Sequence, residues 1–82
     1  MSLNLKTVDK ILRYLAKYPY ATANEISRVI KKSPATVMKY LREMYKLGIV
    51  TFREVGDLRR WRIDESFSDG VKTLNKMFRI KR

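Results

Sequence analysis

The sequence predicts a mainly α-helical domain with a small β-hairpin, in the order three helices, hairpin, fourth helix. Three observations carry this. Between residues 5 and 47 apolar residues recur at the 3–4 spacing of helix faces, broken twice by short turn segments. From Ile49 to Ile63 that period gives way to two runs rich in β-branched and aromatic residues. From Ser66 the helical period returns. With 82 residues, the chain is expected to form one domain over 1–82 with a modest core.

In the first segment, Leu5 to Tyr18, Val8, Ile11, Leu12 and Leu15 fall on one helix face, and Lys6, Asp9, Lys10, Arg13 and Lys17 lie between them. Tyr18-Pro19 ends it, because the residue before proline is pushed out of the α region. Tyr14, Tyr18 and Tyr20 then read as the rim of a core. Thr22-Ala23-Asn24-Glu25 matches a capping box and starts a second helix running to about Lys31, with Ile26, Val29 and Ile30 facing inward. Ser27 is small enough to let this helix approach a neighbour closely. Two residues after Lys31, Ser33 is a helix N-cap, Pro34 fits the first helical position, and Gly48 stops the helix. Val37, Leu41, Met44 and Leu47 form its apolar face. Two short helices so tightly joined make a helix-turn-helix.

Ile49 to Glu54 and Arg59 to Ile63 are the expected strands, with Val55-Gly56-Asp57-Leu58 as the turn. Alternation turns Trp61 and Ile63 towards the helices and Arg60 and Arg62 away, so Trp61 reads as core rather than as a base-stacking ring. So small a hairpin must pack on the helices. In the last helix, about 66–80, Phe67, Val71, Leu74 and Phe78 share a face with Met77 beside it. That face either covers the first helix or pairs with its twin in a homodimer, the second being favoured by the small monomer core.

Charge narrows the function. Nineteen Lys and Arg stand against eight Asp and Glu, a net charge of +11, which favours a polyanionic partner. There is no Cys and no His, which removes thiolate and imidazole metal sites and every Ser–His or Cys–His arrangement. The acids are scattered, and no pair sits in an apolar setting that would split two pKa values. An enzyme is therefore not expected, nor a cofactor, a metal, or an identifiable small-molecule effector. No apolar run reaches the ~18–20 residues of a membrane span. The chain reads as cytoplasmic, with no membrane partner.

Short signatures then sharpen the class. Ser33-Pro34-Ala35-Thr36-Val37-Met38-Lys39-Tyr40-Leu41 resembles the S-x-x-T-V-x-x-x-L signature of winged helix-turn-helix transcription regulators. Leu47-Gly48-Ile49-Val50 is similar to their L-G-L-V step into the wing, and Glu25-Ile26-Ser27 to the E-L-A of their first motif helix. The similarity covers roughly Leu5 to Asp64. Small regulators of the MarR or ArsR kind, and many archaeal and archaeal-virus proteins, share this layout. Two departures stand out: the tail is a single helix, and the turn has no glycine. Without glycine the turn either seats Lys31 or Lys32 at positive φ, at some cost, or takes another geometry.

The resemblance implies sequence-specific binding of double-stranded DNA in transcription regulation, and the residues make a separate physical case. The major groove admits one α-helix whose side chains reach base edges. Lys32, Ser33, Ala35 and Thr36 cluster at the start of the helix 34–47, with Met38, Lys39 and Arg42 farther along. Arg42 or Lys39 suits guanine, and Thr36, Ala35 or Met38 a thymine methyl. Tyr40 joins this set, its ring bracing the core edge and its hydroxyl in reach of a phosphate. The competing reading of Lys39 and Arg42 is a solvated face with Glu43 paired to Lys39. On the wing, 49–63, Arg53, Arg59, Arg60 and Arg62 suit phosphate or a narrow minor groove, with Glu54 and Asp57 near enough to pair with some of them. A homodimer would set two such helices ~34 Å apart on a palindromic site. Two other readings fit the same charge: an architectural or RNA-binding winged helix, and a protein-interaction module.

Overall fold

Asn4 begins the first helix in the computed structural model, which describes residues 3–67. Its Oδ1 accepts from the backbone N–H groups of Lys6 and Thr7, at 2.9 and 3.4 Å, and so caps α1 (Leu5–Lys17). Thr22 caps α2 (Ala23–Ile30) through the full capping box: the Glu25 N–H donates to Thr22 Oγ1 at 3.2 Å, and the Thr22 N–H to Glu25 Oε1 at 2.9 Å. Ser33 caps α3 (Pro34–Lys46), with Pro34 in its first turn. Gly48, at φ 75°, closes α3. The Gly48 N–H donates to Tyr45 O at 3.0 Å and the Ile49 N–H to Met44 O at 2.9 Å, a Schellman motif.

The turn between α2 and α3 does without glycine by seating Lys31 in the left-handed region, φ 59° and ψ 42°. That conformation costs a side-chain-bearing residue roughly 1–2 kcal/mol. The Lys32 N–H reaches back to Ser27 O at 3.2 Å and holds the turn. Ser27 is buried, its hydroxyl donating to Asn24 O at 2.7 Å, so α2 packs closely on α3.

β1 (Val50–Val55) and β2 (Leu58–Ile63) form an antiparallel hairpin, each strand reaching one residue nearer the turn than expected. Two residues, Gly56 and Asp57, make the turn. Gly56 has φ 61° while Asp57 keeps a negative φ, the pattern of a type II′ turn. The sequence did not reveal that β2 has a second neighbour. Ala21 bridges to Trp61: the Trp61 N–H donates to Ala21 O at 2.8 Å and the Tyr20 N–H to Trp61 O at 2.7 Å. Tyr20 adopts φ 67° to permit this. A single bridging residue has no alternation to betray it.

The core lies where the three helices meet the hairpin. Ile11, Ile26, Val37, Leu41 and Met44 are wholly buried, and Leu15, Val50 and Trp61 nearly so. Each such side chain contributes about 1.5–3 kcal/mol relative to exposure. Two expectations are corrected. Val29 is 56% exposed, because the buried face of α2 is centred on Ile26, Ser27 and Ile30, and Val29 lies more than a quarter turn away. Leu47 is 66% exposed, because α3 ends at Lys46 and Leu47 falls at the edge of the stripe. Residues 65–67 are helical and Phe67 is half-buried; Val71, Leu74, Met77 and Phe78 of the expected last helix lie outside the described residues. Among the described residues no helix is long and apolar enough to cross a membrane.

Candidate nucleic-acid interface

Packing Val37, Tyr40, Leu41 and Met44 inward leaves the opposite side of α3 to solvent. Ala35, Lys39, Arg42 and Lys46 are all exposed, and their 4-3-4 spacing aligns them in one stripe. Thr36 and Met38, half-buried, border it. Glu43 pairs with Lys46 at 3.4 Å rather than with Lys39, the i+3 partner being the one in reach. Lys39 and Arg42 form no ion pair among the described residues. Lys46 escaped the sequence reading, although it stands four residues beyond Arg42 and seven beyond Lys39.

At the head of α3, Lys32 and Ser33 are exposed. Ser33 Oγ accepts from the Thr36 N–H at 3.2 Å and donates to Thr36 Oγ1 at 2.9 Å, and Ser33 O accepts from the Val37 N–H. Pro34 has no N–H, so Ala35 offers the remaining first-turn amide, where the helix dipole favours an anion. Tyr40 stands apart from the set: it is 7% exposed, and its hydroxyl accepts from the Asn4 N–H at 3.1 Å. Its ring and hydroxyl brace the start of α1 against α3.

The four hairpin arginines do not form one patch. Register places Val50, Phe52 and Glu54 with Ile63, Trp61 and Arg59 on one face, and Thr51 and Arg53 with Arg62 and Arg60 on the other. Arg59 shares the core-facing side. Its guanidinium lies 4.7 Å from the Phe52 ring centroid and 3.8 Å from Glu54. Arg53 and Arg60 are directly opposed, an unfavourable like-charge pair. Arg53 turns to the Tyr20 ring, at 5.3 Å, and Arg60 to Tyr20 O and the Glu25 carboxylate, at 3.3 and 3.9 Å. Arg62 is 3.9 Å from Glu65. All these pairs are more than a third exposed, so each contributes at most about 1 kcal/mol and leaves its arginine accessible.

The fold draws three elements around one cleft of about 380 Å³. Thr22 and Asn24 come from the head of α2, Pro34, Ala35 and Met38 from the head of α3, and Leu58 and Arg59 from the hairpin. Of the hairpin arginines, Arg59 is the one that lines this cleft, together with Ala35 of the α3 stripe. Two capped helix starts and the Arg59 guanidinium converge there, with the Asp57 carboxylate also at the lining; the helix starts and the guanidinium suit a polyanionic backbone, and Asp57 opposes it.

Three helices, a tight turn before the third and a hairpin after it define the class. The chain belongs to the winged helix-turn-helix DNA-binding family, whose model matches residues 6–51. Among solved structures it is similar to a predicted DNA-binding transcriptional regulator from E. coli, with a TM-score of 0.67 and 22% identity over 83% of this chain and 73% of that one. It is similar also to a mutant form of Lactococcus lactis ZitR, TM-score 0.70 and 21% identity over 93% of this chain and 56% of that one. The antimony-specific transcriptional repressor AntR gives 0.62 and 15% over 85% and 68%. At these identities the likeness is one of fold, and this chain spans little more than half the length of ZitR. No curated protein matches.

Proposed function

We propose that this chain is a sequence-specific double-stranded DNA-binding protein that regulates transcription, α3 reading the major groove and the hairpin gripping the backbone. The observation that carries this is the stripe Ala35-Lys39-Arg42, exposed, free of ion pairs among the described residues and bordered by Thr36 and Met38. Lys46, the fourth residue of the stripe, pairs with Glu43, an exposed pair weak enough for a polyanion to displace, so the stripe as a whole is open to DNA. Arg42 and Lys39 take guanine, Ala35 and Thr36 a thymine methyl, and Lys32, Ser33 and Arg59 position the backbone. Regulation follows by occluding a promoter and requires no catalysis. Residues 1–82 act as one unit, and the apolar face Phe67, Val71, Leu74, Met77 and Phe78 pairs two copies. With neither Cys nor His, the chain has no thiolate or imidazole for a soft-metal sensor.

The test is selection of bound duplex from a random pool at moderate salt, followed by titration of a selected site against salt. Enrichment of a defined, two-fold symmetric site is expected, with log K falling by about 0.9 per phosphate neutralised for each unit of log salt. No enrichment over bulk DNA, at a steep salt slope, would make the protein an architectural binder. Affinity flat in salt would remove DNA as the partner.

A further inference from the structure

A second surface lies away from the reading helix. Lys10, Arg13, Tyr14, Lys17 and Tyr18 of α1 and its cap face Val29, Ile30 and Lys31 at the end of α2 across an open groove of about 720 Å³. No lining residue belongs to α3 or the hairpin. Four cations rim the groove and no acid lines it; Asp9, 2.8 Å from Arg13, stands just outside. Between the cations lies apolar surface, with Val29 56% and Tyr18 51% exposed.

We propose that this groove docks an acidic amphipathic segment of a partner protein, its carboxylates on Lys10, Arg13, Lys17 and Lys31 and its apolar side chains on Val29 and Tyr18. Charge decides among occupants. Residues 68–82 of this chain carry five Lys and Arg against one acid, and a second copy carries the same +11, so neither complements the rim. Chemistry decides between protein and nucleic acid. Single strands bind by stacking bases on free aromatic faces. The groove offers one ring more than half exposed, Tyr18, with Tyr14 packed against it at 5.0 Å, and not a series of faces on which successive bases stack. A duplex backbone has no use for an exposed valine. An amphipathic acidic segment uses both rim and floor, as in helix-in-groove recognition.

The experiment is a two-dimensional NMR titration of the full chain with a 15-residue peptide carrying Glu and Asp on one helical face and Leu and Phe on the other. A control peptide keeps the charges and replaces Leu and Phe by Ser. Shifts confined to Tyr14, Lys17, Tyr18, Val29 and Lys31 are expected, with the control about tenfold weaker. The double variant K10E/K17E and, separately, V29S should each weaken the first peptide by about tenfold; V29S should leave duplex DNA affinity unchanged, and K10E/K17E should lower it by much less than tenfold, a screened effect of four lost charges. Because these positions are exposed, both variants should retain the parent far-UV spectrum. Equal binding of the control, shifts centred on α3 and the hairpin, or the same groove shifts with a duplex or single-stranded oligonucleotide would each overturn the proposal.

Discussion

The Arg60 guanidinium stands 3.9 Å from the Glu25 carboxylate and so ties the hairpin to the capping box of α2. The same guanidinium donates to Tyr20 O at 3.3 Å. An arginine placed by alternation on the outer face of a wing thus also supports the start of the helix-turn-helix.

This linkage makes stability pH-dependent. The Thr22 backbone N–H, and then the Thr22 side chain, hold the Glu25 carboxyl below its usual range; Arg60 and Arg28 add attraction, and slight desolvation opposes them. With the folded pKa depressed, the unfolded chain binds more protons as pH falls, so the stabilisation is present above the ordinary Glu value of about 4.3. It is lost as pH drops through the lower folded value. Urea midpoints measured down to about pH 3 should show this fall, and Glu25→Gln, which keeps the hydrogen bond, should flatten it.

Base reading and backbone grip separate by mutation. Arg42→Ala should cost a selected site about 1–3 kcal/mol and random duplex much less. Arg59→Ala should weaken both alike and reduce the salt slope by about 1. Fluorescence anisotropy on the two duplexes at several salt concentrations measures both. Equal losses for Arg42→Ala would move it to the backbone set.

The corrected burial of α3 has its own check. Leu41→Ala should cost about 2–5 kcal/mol, since that side chain is wholly buried, whereas Leu47→Ala should change stability by no more than about 0.5 kcal/mol. Chemical denaturation of the two variants decides it.

Lys31→Gly should raise stability by about 0.5–1 kcal/mol, since glycine takes the left-handed turn without a Cβ clash but orders a more flexible chain. Melting should shift upward by about 4–8 °C per kcal/mol in a domain of this size. An unchanged or lower melting temperature would mean that the lysine stem contributes packing that offsets its strain.

Leu74→Glu should convert a dimer to a folded monomer, read by light scattering and far-UV circular dichroism. A monomeric parent would remove the proposed pairing of copies through residues 67–78.

Local chemistry made much of this fold legible. Thr22 with Glu25, Ser33 with Pro34, and Gly48 each act within a few residues of themselves, so the boundaries of α2 and α3 could be read from spacing. The missing glycine pointed to a positive φ at Lys31 or Lys32 or to another turn geometry, and only the folded chain selects Lys31. What could not be read depends on distant partners. Ala21 finds Trp61 forty residues away, Tyr40 finds the Asn4 backbone, and Arg59 parts from Arg60 only once the strands have a register. Val29 lies off the buried face of α2 by helical phase and Leu47 just past the end of α3, and neither follows from apolar identity. The exposed stripe of α3 was mostly visible, since it is the complement of a core face. The α1–α2 groove was not, because its cations belong to two helices whose packing no single periodicity encodes.

The bridge from Ala21 to Trp61 has a mechanical consequence. It clamps the hairpin at its middle, where Phe52, Trp61 and Tyr45 also pack together. Beyond that clamp only the pairs from Arg53 and Arg60 to Val55 and Leu58 overhang, about 10 Å at strand spacing. A short cantilever is stiff. In the proposed complex it meets a phosphate at a fixed reach from α3 and does not sweep to find one, so the DNA backbone is brought to the tip. In the proposed complex the length of that overhang, together with its charge, fixes where the hairpin meets the backbone.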